Sequence, residues 1–306
     1  MTMTFDMEET LLAGSLPADV LPHMLWNEMI LGTKKRVVYK DATQITEALR
    51  GAVGTKISVA VLSTRFTADT ISESSLDTSG YTPSDPAVTD VDITIGNQVY
   101  VAFRISDILK EDQPNFNWIR ILLQDAGRAI VEYEDGAIRD VFHAGAGNSM
   151  GSAAAGTLAY DDVIDELAMQ KVDSWFPEPG ATPYLFIHPN QEKDLLKDTR
   201  YVNSHRYSIA RVGELASADD MARGEVESIY AGCRVRVTDN ATDTLALVVF
   251  PSPHPSYGPV TIHAVKRPLT IRTEREEFYG RQFWAVSTRY GTAVIQANAV
   301  GLISNC

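Results

Sequence analysis

Apolar residues in this chain form short alternating runs toward both ends and one long helical stripe between them. From Lys56 to Arg65, Ile57, Val59 and Val61 alternate with polar positions, and Val91 to Phe103 does the same through Ile93, Ile95, Val99 and Val101, so both stretches predict strands. Between them, Phe66 to Asp90 is rich in Ser, Thr, Asp, Gly and Pro and holds no Lys or Arg. A coreless stretch of that length is uncommon inside a compact domain, so it is expected either to be disordered or to project as a two-stranded loop onto something else. Asp69, Glu73, Asp77, Asp85 and Asp90, with Asp92 just beyond, make it a negative finger.

The helical stripe follows. Pro114 suits a first helical turn, and Phe116, Ile119, Leu123, Ala126, Ile130, Tyr133, Ala137 and Val141 recur at spacings of three and four, predicting one helix over about 114–143 with a continuous apolar face. At ~1.5 Å per residue it would be ~45 Å long. Gly127 and Gly136 each weaken it by about 1 kcal/mol relative to Ala, so tertiary packing has to hold it. The tract Gly145 to Gly156 then ends it in a flexible connection.

Beyond that connection, a helix is expected over about Tyr160 to Ser174, opened by Asp161 and Asp162, with Val163, Ile164, Leu167, Ala168 and Val172 inward. Tyr184 to His188 reads as a buried strand that Pro189 turns into a helix to about Lys197, with Leu195 and Leu196 inward. Strands follow at 226–237 and 245–250. The C-terminal part reads as strands at 261–265, 269–275, 282–290 and 293–303, with a turn at Glu277 to Gly280. Before all of this, residues 1 to about 35 read as an arm. Its short amphipathic helix after Pro22 (Leu25, Trp26, Met29, Ile30) is too short to stand alone and needs a surface, its own domain or a neighbouring subunit.

Charge narrows the function. Lys plus Arg total 27 against 40 for Asp plus Glu, a formal charge of -13, which argues against a protein whose main task is gripping nucleic-acid phosphates. Arg outnumbers Lys 18 to 9 and Asp outnumbers Glu 23 to 17, a bias that suits either a salt-rich interior or a GC-rich genome. No apolar run nears the ~18 residues that span a bilayer, and no basic residue precedes Lys34, so neither a membrane span nor a secretory signal is expected. Two cysteines, Cys233 and Cys306, exclude a disulfide scaffold and a four-cysteine zinc site.

Motifs for chemistry are weak. Gly147-Asn148-Ser149-Met150-Gly151 matches the nucleophile elbow of serine hydrolases, but that motif needs a strand before it, and here a long helix precedes. His188 and Glu192 are spaced like a metal pair, yet Pro189 intervenes and no third ligand is near, so a structural histidine is expected. Lys34-Lys35-Arg36 reads as a solvated charge run. The residues supply no catalytic, cofactor-binding or metal-binding set.

The order of elements is more informative than any motif. A projecting acidic loop between two strands, a very long helix, a helix–strand–His–Pro–helix unit and a β-rich end resemble the major capsid proteins of tailed viruses, with the Hong Kong 97-like fold that encapsulin nanocompartments share. Tyr100 to Asp107 (YVAFRISD), Leu158 to Ile164 (LAYDDVI), Leu185 to Gln191 (LFIHPNQ), Gly224 to Val235 and Thr270 to Phe278 (TIRTEREEF) carry the resemblance.

This resemblance implies an α+β fold with an N-terminal arm (1–35), an extended loop (56–98), a peripheral domain (36–55, 99–149 and 261–306, spine helix 114–143) and an axial domain (150–260). It implies a coat protein in the virion, assembled in the host cytoplasm, that forms pentamers and hexamers of an icosahedral shell around double-stranded DNA with weak genome contacts. It implies no enzyme activity and no cofactor. Copies of the chain itself are the main partner, with portal, separate scaffolding and decoration proteins beside them. Expected subunit-interface residues are Trp26 on the arm and Asp69, Glu73, Asp77 and Asp85 on the loop. Arg120, Arg128 and Arg139 on the spine helix and Arg272 or Arg275 on the late strands would receive the loop, and Glu277 and Tyr279 would form the peripheral tip. Lys56 lies at the loop base, so a lysine crosslink from the loop tip is not expected. An encapsulin-type shell and a serine hydrolase using Ser149 are the alternatives.

Overall fold

The computed structural model describes residues 37–51, 53–62, 70, 87–96, 98–112, 118–150, 156–172, 181–197, 229–230, 232–255 and 258–304. The expected arm with Trp26, most of the acidic stretch, and Pro114 lie outside the described residues. In chain order the elements are β1 (Gln44–Thr46), β2 (Lys56–Leu62), β3 (Val88–Thr94), β4 (Val99–Ser106), α1 (Asp107–Asp112), α2 (Trp118–Gly145), β5 (Asn148–Met150) and α3 (Tyr160–Val172). There follow β6 (Tyr184–Ile187), α4 (Pro189–Lys197), β7 (Ile229–Tyr230), β8 (Cys233–Val237), β9 (Leu245–Val249), β10 (Thr261–Glu276), β11 (Arg281–Val294) and β12 (Val300–Ser304).

Strands β5-β12-β9-β6-β8-β7 form a six-stranded mixed sheet. Its central strand, β6, is buried at every position, because the period-2 alternation feeds two cores. Tyr184 and Phe186, with Leu247, Val249 and Phe250, meet Ile138 and Phe142 of α2 and the incoming segment Val38, Tyr39 and Ala42 on one face. Leu185 and Ile187, with Ala246, Val248, Val235 and Ile303, meet Val163 and Leu167 of α3 and Leu195 of α4 on the other.

Helix α3 is rotated from the expected orientation. Val163 and Leu167 are buried, but Ile164, Ala168 and Val172 face solvent, and Asp162, Glu166 and Gln170 complete the inward face instead. Local partners account for part of this turn: the Ala159 N–H donates to Asp162 Oδ2 at 2.8 Å, capping the helix, and Gln170 Nε2 donates to Val248 O at 3.2 Å. The helix lies over Gly301 of β12, where a Cβ would stand 1.9 Å from Glu166 Oε1.

Strands β1-β10-β11-β4 form the second sheet. Phe103 and Ile105 of β4 and Val286 of β11 are covered by Ala126 and Ile130 of α2, with Ile119, Leu122 and Leu123 at the margin. At 28 residues and ~1.5 Å each, α2 reaches ~42 Å, so its first half covers this sheet and its second half covers the six-stranded one. Its buried face matches the expected stripe only through Ile130. Beyond that, Tyr133 is 62% exposed and Ala137 and Val141 are half-buried, while Glu134, Ile138 and Phe142 point inward.

The two late strands expected at 261–265 and 269–275 are one 16-residue strand, β10, with register shifts between Val265 and Arg267 and between Arg267 and Thr270. Pro268 has no N–H to give the ladder, and the strand bulges around it. Side-chain hydroxyls bridge the gap: Thr288 Oγ1 donates to Arg267 O at 3.1 Å and Thr270 Oγ1 to Ser287 O at 3.2 Å. The expected strand at 293–303 is likewise divided. Its start ends β11, a short 3-10 turn at Ala297–Ala299 follows, and β12 crosses into the other sheet.

β2 and β3 pair as a separate antiparallel ribbon. Ile93 and Ile95 anchor its base among Leu49, Ile262, Ala264 and Ile295, and Ile57, Val59 and Val61 are half-buried beside them. Gly291 lets the ribbon cross β11, since a Cβ there would lie 2.3 Å from Thr94 O. On the ribbon's outer face Lys56 Nζ is 2.6 Å from Asp92 Oδ2, so the single lysine of the loop base is already held within its own chain.

Replacing Gly301 by Ala is expected to destabilise the chain by about 1–3 kcal/mol, the usual cost of overpacking. A urea or thermal unfolding curve measures it; a variant as stable as the parent would mean that α3 shifts without cost.

Candidate functional site

The buried chemistry of the molecule gathers where α2 passes between the sheets. Asp135 Oδ1 accepts the backbone N–H groups of Val38 at 3.2 Å and Tyr39 at 2.8 Å, and its Oδ2 accepts Asn240 Nδ2 at 3.1 Å. Glu134 Oε1 accepts Lys40 Nζ at 2.8 Å and lies 2.7 Å from His263 Nε2, while His263 Nδ1 is 2.7 Å from the Thr292 hydroxyl. One turn on, Arg139 Nη1 donates to Asn240 O at 2.6 Å. Two adjacent helix residues thus tie together the incoming segment, the 238–242 turn, β10 and β11.

The two carboxylates titrate in opposite directions. Burial raises Asp135, and hydrogen bonds from Asn240 and the 38–40 amides only partly offset it. Burial pushes Glu134 the same way, but hydrogen bonds from His263 and Lys40, with their charges, outweigh it and hold Glu134 below the ordinary range. The arrangement is structural. Nothing in it pairs a nucleophile with a base, and among the described residues no group of three His, Cys, Asp or Glu side chains is placed to hold a metal.

The other sequence candidates for chemistry resolve locally. Ser149 lies exposed in the middle of β5, opposite Leu302 in a parallel pair, so it does not sit on the strand-to-helix turn that a nucleophile elbow requires. His188 works as a helix cap: its N–H donates to Gln191 Oε1 at 2.9 Å, and its ring sits 3.0 Å from Asp243. Burial pushes the Cys233 thiol up to about 12, which keeps it protonated and inert. No helix among the described residues is long and apolar enough to cross a membrane.

The expected interface residues divide into two sets. Trp26, Asp69, Glu73, Asp77 and Asp85 lie outside the described residues. Arg120, Arg128 and Arg139 are spread along α2 rather than brought together, and Arg139 is also bonded to Asp140 Oδ1 at 2.6 Å. Arg272, Arg275, Glu277 and Tyr279 do share one place, the outer end of the β10–β11 hairpin. There a 3-10 turn at Glu277–Tyr279 closes on Gly280 with φ 57°, a left-handed conformation that suits glycine. Arg275 reaches Asp107 at 3.0 Å, Arg281 stacks 4.4 Å from the Tyr279 ring centre, and Phe278 stands 93% exposed at the tip. The pattern did not reveal Glu134, Asp135, Lys40, Asn240 or His263. One trace existed: Ile130, Glu134, Ile138 and Phe142 form an i, i+4 series in which a single acid replaces an apolar residue.

A long helix bridges two sheets, beside a separate strand ribbon and an exposed aromatic hairpin tip. The profile of the family described as phage capsid protein matches residues 100–305. The chain belongs to that family. No curated protein sequence matches it. Its fold is similar to that of a structure of Mycobacterium phage Che8, with a TM-score of 0.66 at 14% identity over 93% of this chain and 97% of the other. It is similar to the capsid structure of the cyanophage P-SCSP1u, with a TM-score of 0.67 at 13% identity over 99% of both chains. A virus-like particle from Pyrococcus furiosus matches at a TM-score of 0.54 and 14% identity, over 88% of this chain and 92% of the other. The α+β architecture is the Hong Kong 97-like fold, and this capsid protein is a structural component of the virion.

Removing the Asp135 carboxylate from the capsid protein strands two backbone N–H groups and the Asn240 amide. Asp135→Ala is therefore expected to cost about 2–4 kcal/mol in chemical denaturation. The acid limb has a definite sign. Glu134 is depressed in the folded chain, so its stabilisation is full above the ordinary value of 4.5 and is lost as pH falls through the lower folded value. Asp135, raised in the folded chain, works oppositely and relieves strain on protonation. Glu134→Gln is expected to flatten the loss of stability below pH 4.5, measured as unfolding midpoints across pH; an unchanged acid limb would assign that loss elsewhere.

Proposed function

We propose that this chain is the major capsid subunit of a tailed double-stranded DNA virus and that its copies close into an icosahedral shell of hexamers and pentamers around the genome. The family profile across residues 100–305 carries the reading. The formal charge of -13 supports a container whose wall does not hold on to packaged DNA.

Within this reading, residues 1–35 are an arm and 56–98 an extended loop. Residues 36–55, 99–149 and 261–306 form a peripheral domain, and 150–260 form an axial domain around capsomer centres. This division places β5 and β12 on the peripheral side of a sheet whose other four strands are axial, so the two domains share a core. The acidic stretch 66–90 lies across a neighbouring copy and pairs with Arg120 and Arg128 on its spine helix. Arg139 and Arg275 are candidates of the same kind and also hold carboxylates within their own chain, at 2.6 Å and 3.0 Å. Glu277 and Tyr279 at the hairpin tip meet adjacent capsomers. Many such modest contacts, multiplied by symmetry, hold the shell. Portal, scaffolding and decoration proteins are the further partners of this reading.

Negative-stain microscopy of the purified protein at low and molar salt is expected to show closed shells or rings of five and six. Nuclease-protected DNA inside would separate a virus coat from a cargo-loaded compartment, and small oligomers under every condition would contradict the reading. Charge reversal of Asp77 and Asp85 together is expected to lower particle yield most at low salt, where pairing between exposed charges is least screened. An unchanged yield would remove the acidic stretch from assembly.

A further inference from the structure

Among the described residues, β10 of the four-stranded sheet is only partly covered on its β1 side. β1 pairs with β10 at Ile262, His263 and Ala264 alone, while β11 follows the other side of β10 down to Glu276. Among the described residues no strand lies along the rest of β10. From Leu269 to Arg275, alternate residues therefore point their N–H and C=O groups outward, and Leu269 and Ile271 are 49% and 53% exposed. Open edges of this kind are normally blunted by bulges, charges or a covering element. Here the bulge at Pro268 lies behind the open stretch and leaves it regular.

This edge is complementary to its own reverse. If two copies lie antiparallel with Thr273 opposite Thr273, Arg272 of each copy faces Glu274 of the other, and Ile271 of each faces Arg275. Neighbouring registers lack this match. An axis on Arg272 opposes Arg272 to itself; one on Glu274 joins Arg272 to Glu276 but sets Glu274 against Glu274 at its centre; and one between Thr273 and Glu274 opposes Arg272 to Arg275. An axis between Arg272 and Thr273 joins no opposite charges. Opposite charges and Thr–Thr pairs directly across strands are favourable, and like charges are not. The faces agree as well. Arg272 and Glu274 share a face with Ala285 and Phe283, away from the α2 side. Ile271 lies on the face of Val286, where the aliphatic stem of an opposing Arg275 would cover it.

We propose that two copies of this capsid protein pair along Leu269–Glu276 in antiparallel register about Thr273, joining their four-stranded sheets into one across a two-fold axis. The contact is isologous, so each copy supplies the same strand and a single interface closes on itself. The proposal rests on the reading of the chain as a shell subunit, and it assigns Arg272 to this contact rather than to the acidic stretch.

The test is a Thr273→Cys full-length chain, with Cys306→Ser to remove the chain's other native thiol besides the buried Cys233, assembled and then mildly oxidised. Directly opposed residues in an antiparallel pair have Cα atoms ~4.5–5.5 Å apart, within disulfide reach. Most chains are expected to run as disulfide-linked dimers on a non-reducing gel. Ile271→Cys alone is expected to stay monomeric, and Ile271→Cys with Arg275→Cys to crosslink. In the Thr273→Cys background, Arg272→Glu or Glu274→Arg should each lower the dimer fraction several-fold, and the two together should restore it. Closed shells in which Thr273→Cys stays uncrosslinked would overturn the strand pairing and leave the capsid reading intact. No shells and no dimers under any condition would overturn both.

Discussion

Two adjacent carboxylates in the second half of a 28-residue helix must be buried where three separate stretches of chain converge. Burying a charge without partners is costly, so Glu134 and Asp135 are tolerable only if each finds donors. Asp135 takes backbone amides of the incoming segment and Asn240; Glu134 takes Lys40 beside His263. Those donors come from parts of the chain about a hundred residues away on either side. The pair therefore sets the rotation of α2 about its axis, and α2 in turn aligns the two sheets.

With that rotation set, the remaining geometry follows from close approach. Gly291 allows the β2–β3 ribbon to cross β11, and Gly301 allows α3 to settle on β12. The ribbon base is then packed among Ile93, Ile95 and Ile262, and the β10–β11 hairpin extends away from the cores toward an exposed Phe278. Several apolar groups stay outside these cores: Phe278, Tyr279, Ile271 and Val172. A subunit of a shell completes its burial with copies of itself, which accounts for exposed side chains that a monomer would be expected to cover.

Most elements were legible because they rest on local periodicity. The strands at 56–62 and 184–187, the helix from Pro189 and the turn at Glu277–Gly280 appear where alternation, proline and glycine place them. The errors share one cause. Ile164, Ala168 and Val172 form as good an apolar stripe as Val163 and Leu167, so periodicity admits them all, and only the partners of Asp162 and Gln170 decide which face turns inward. Tyr133, Ala137 and Val141 failed for the same reason, since hydrophobicity does not register that Glu134 and Asp135 have donors waiting. The strands expected at 261–265 and 269–275 are one, because β10 absorbs Pro268 as a bulge where no described strand pairs with its other side.

From its residues alone, this protein is determined as acidic, too poor in cysteine for a disulfide scaffold or a four-cysteine zinc site, and built in an order of elements that resembles viral coats. These properties are local or additive, and composition and spacing carry them. Only the tertiary structure decided that Glu134, Asp135, Lys40, Asn240 and His263 are one cluster, and that no other described strand lies along half of β10's edge. Both depend on which distant segments meet. A long-range hydrogen bond leaves no periodic mark in the residues that make it, and an open edge is the absence of a neighbour along a strand whose own pattern is complete.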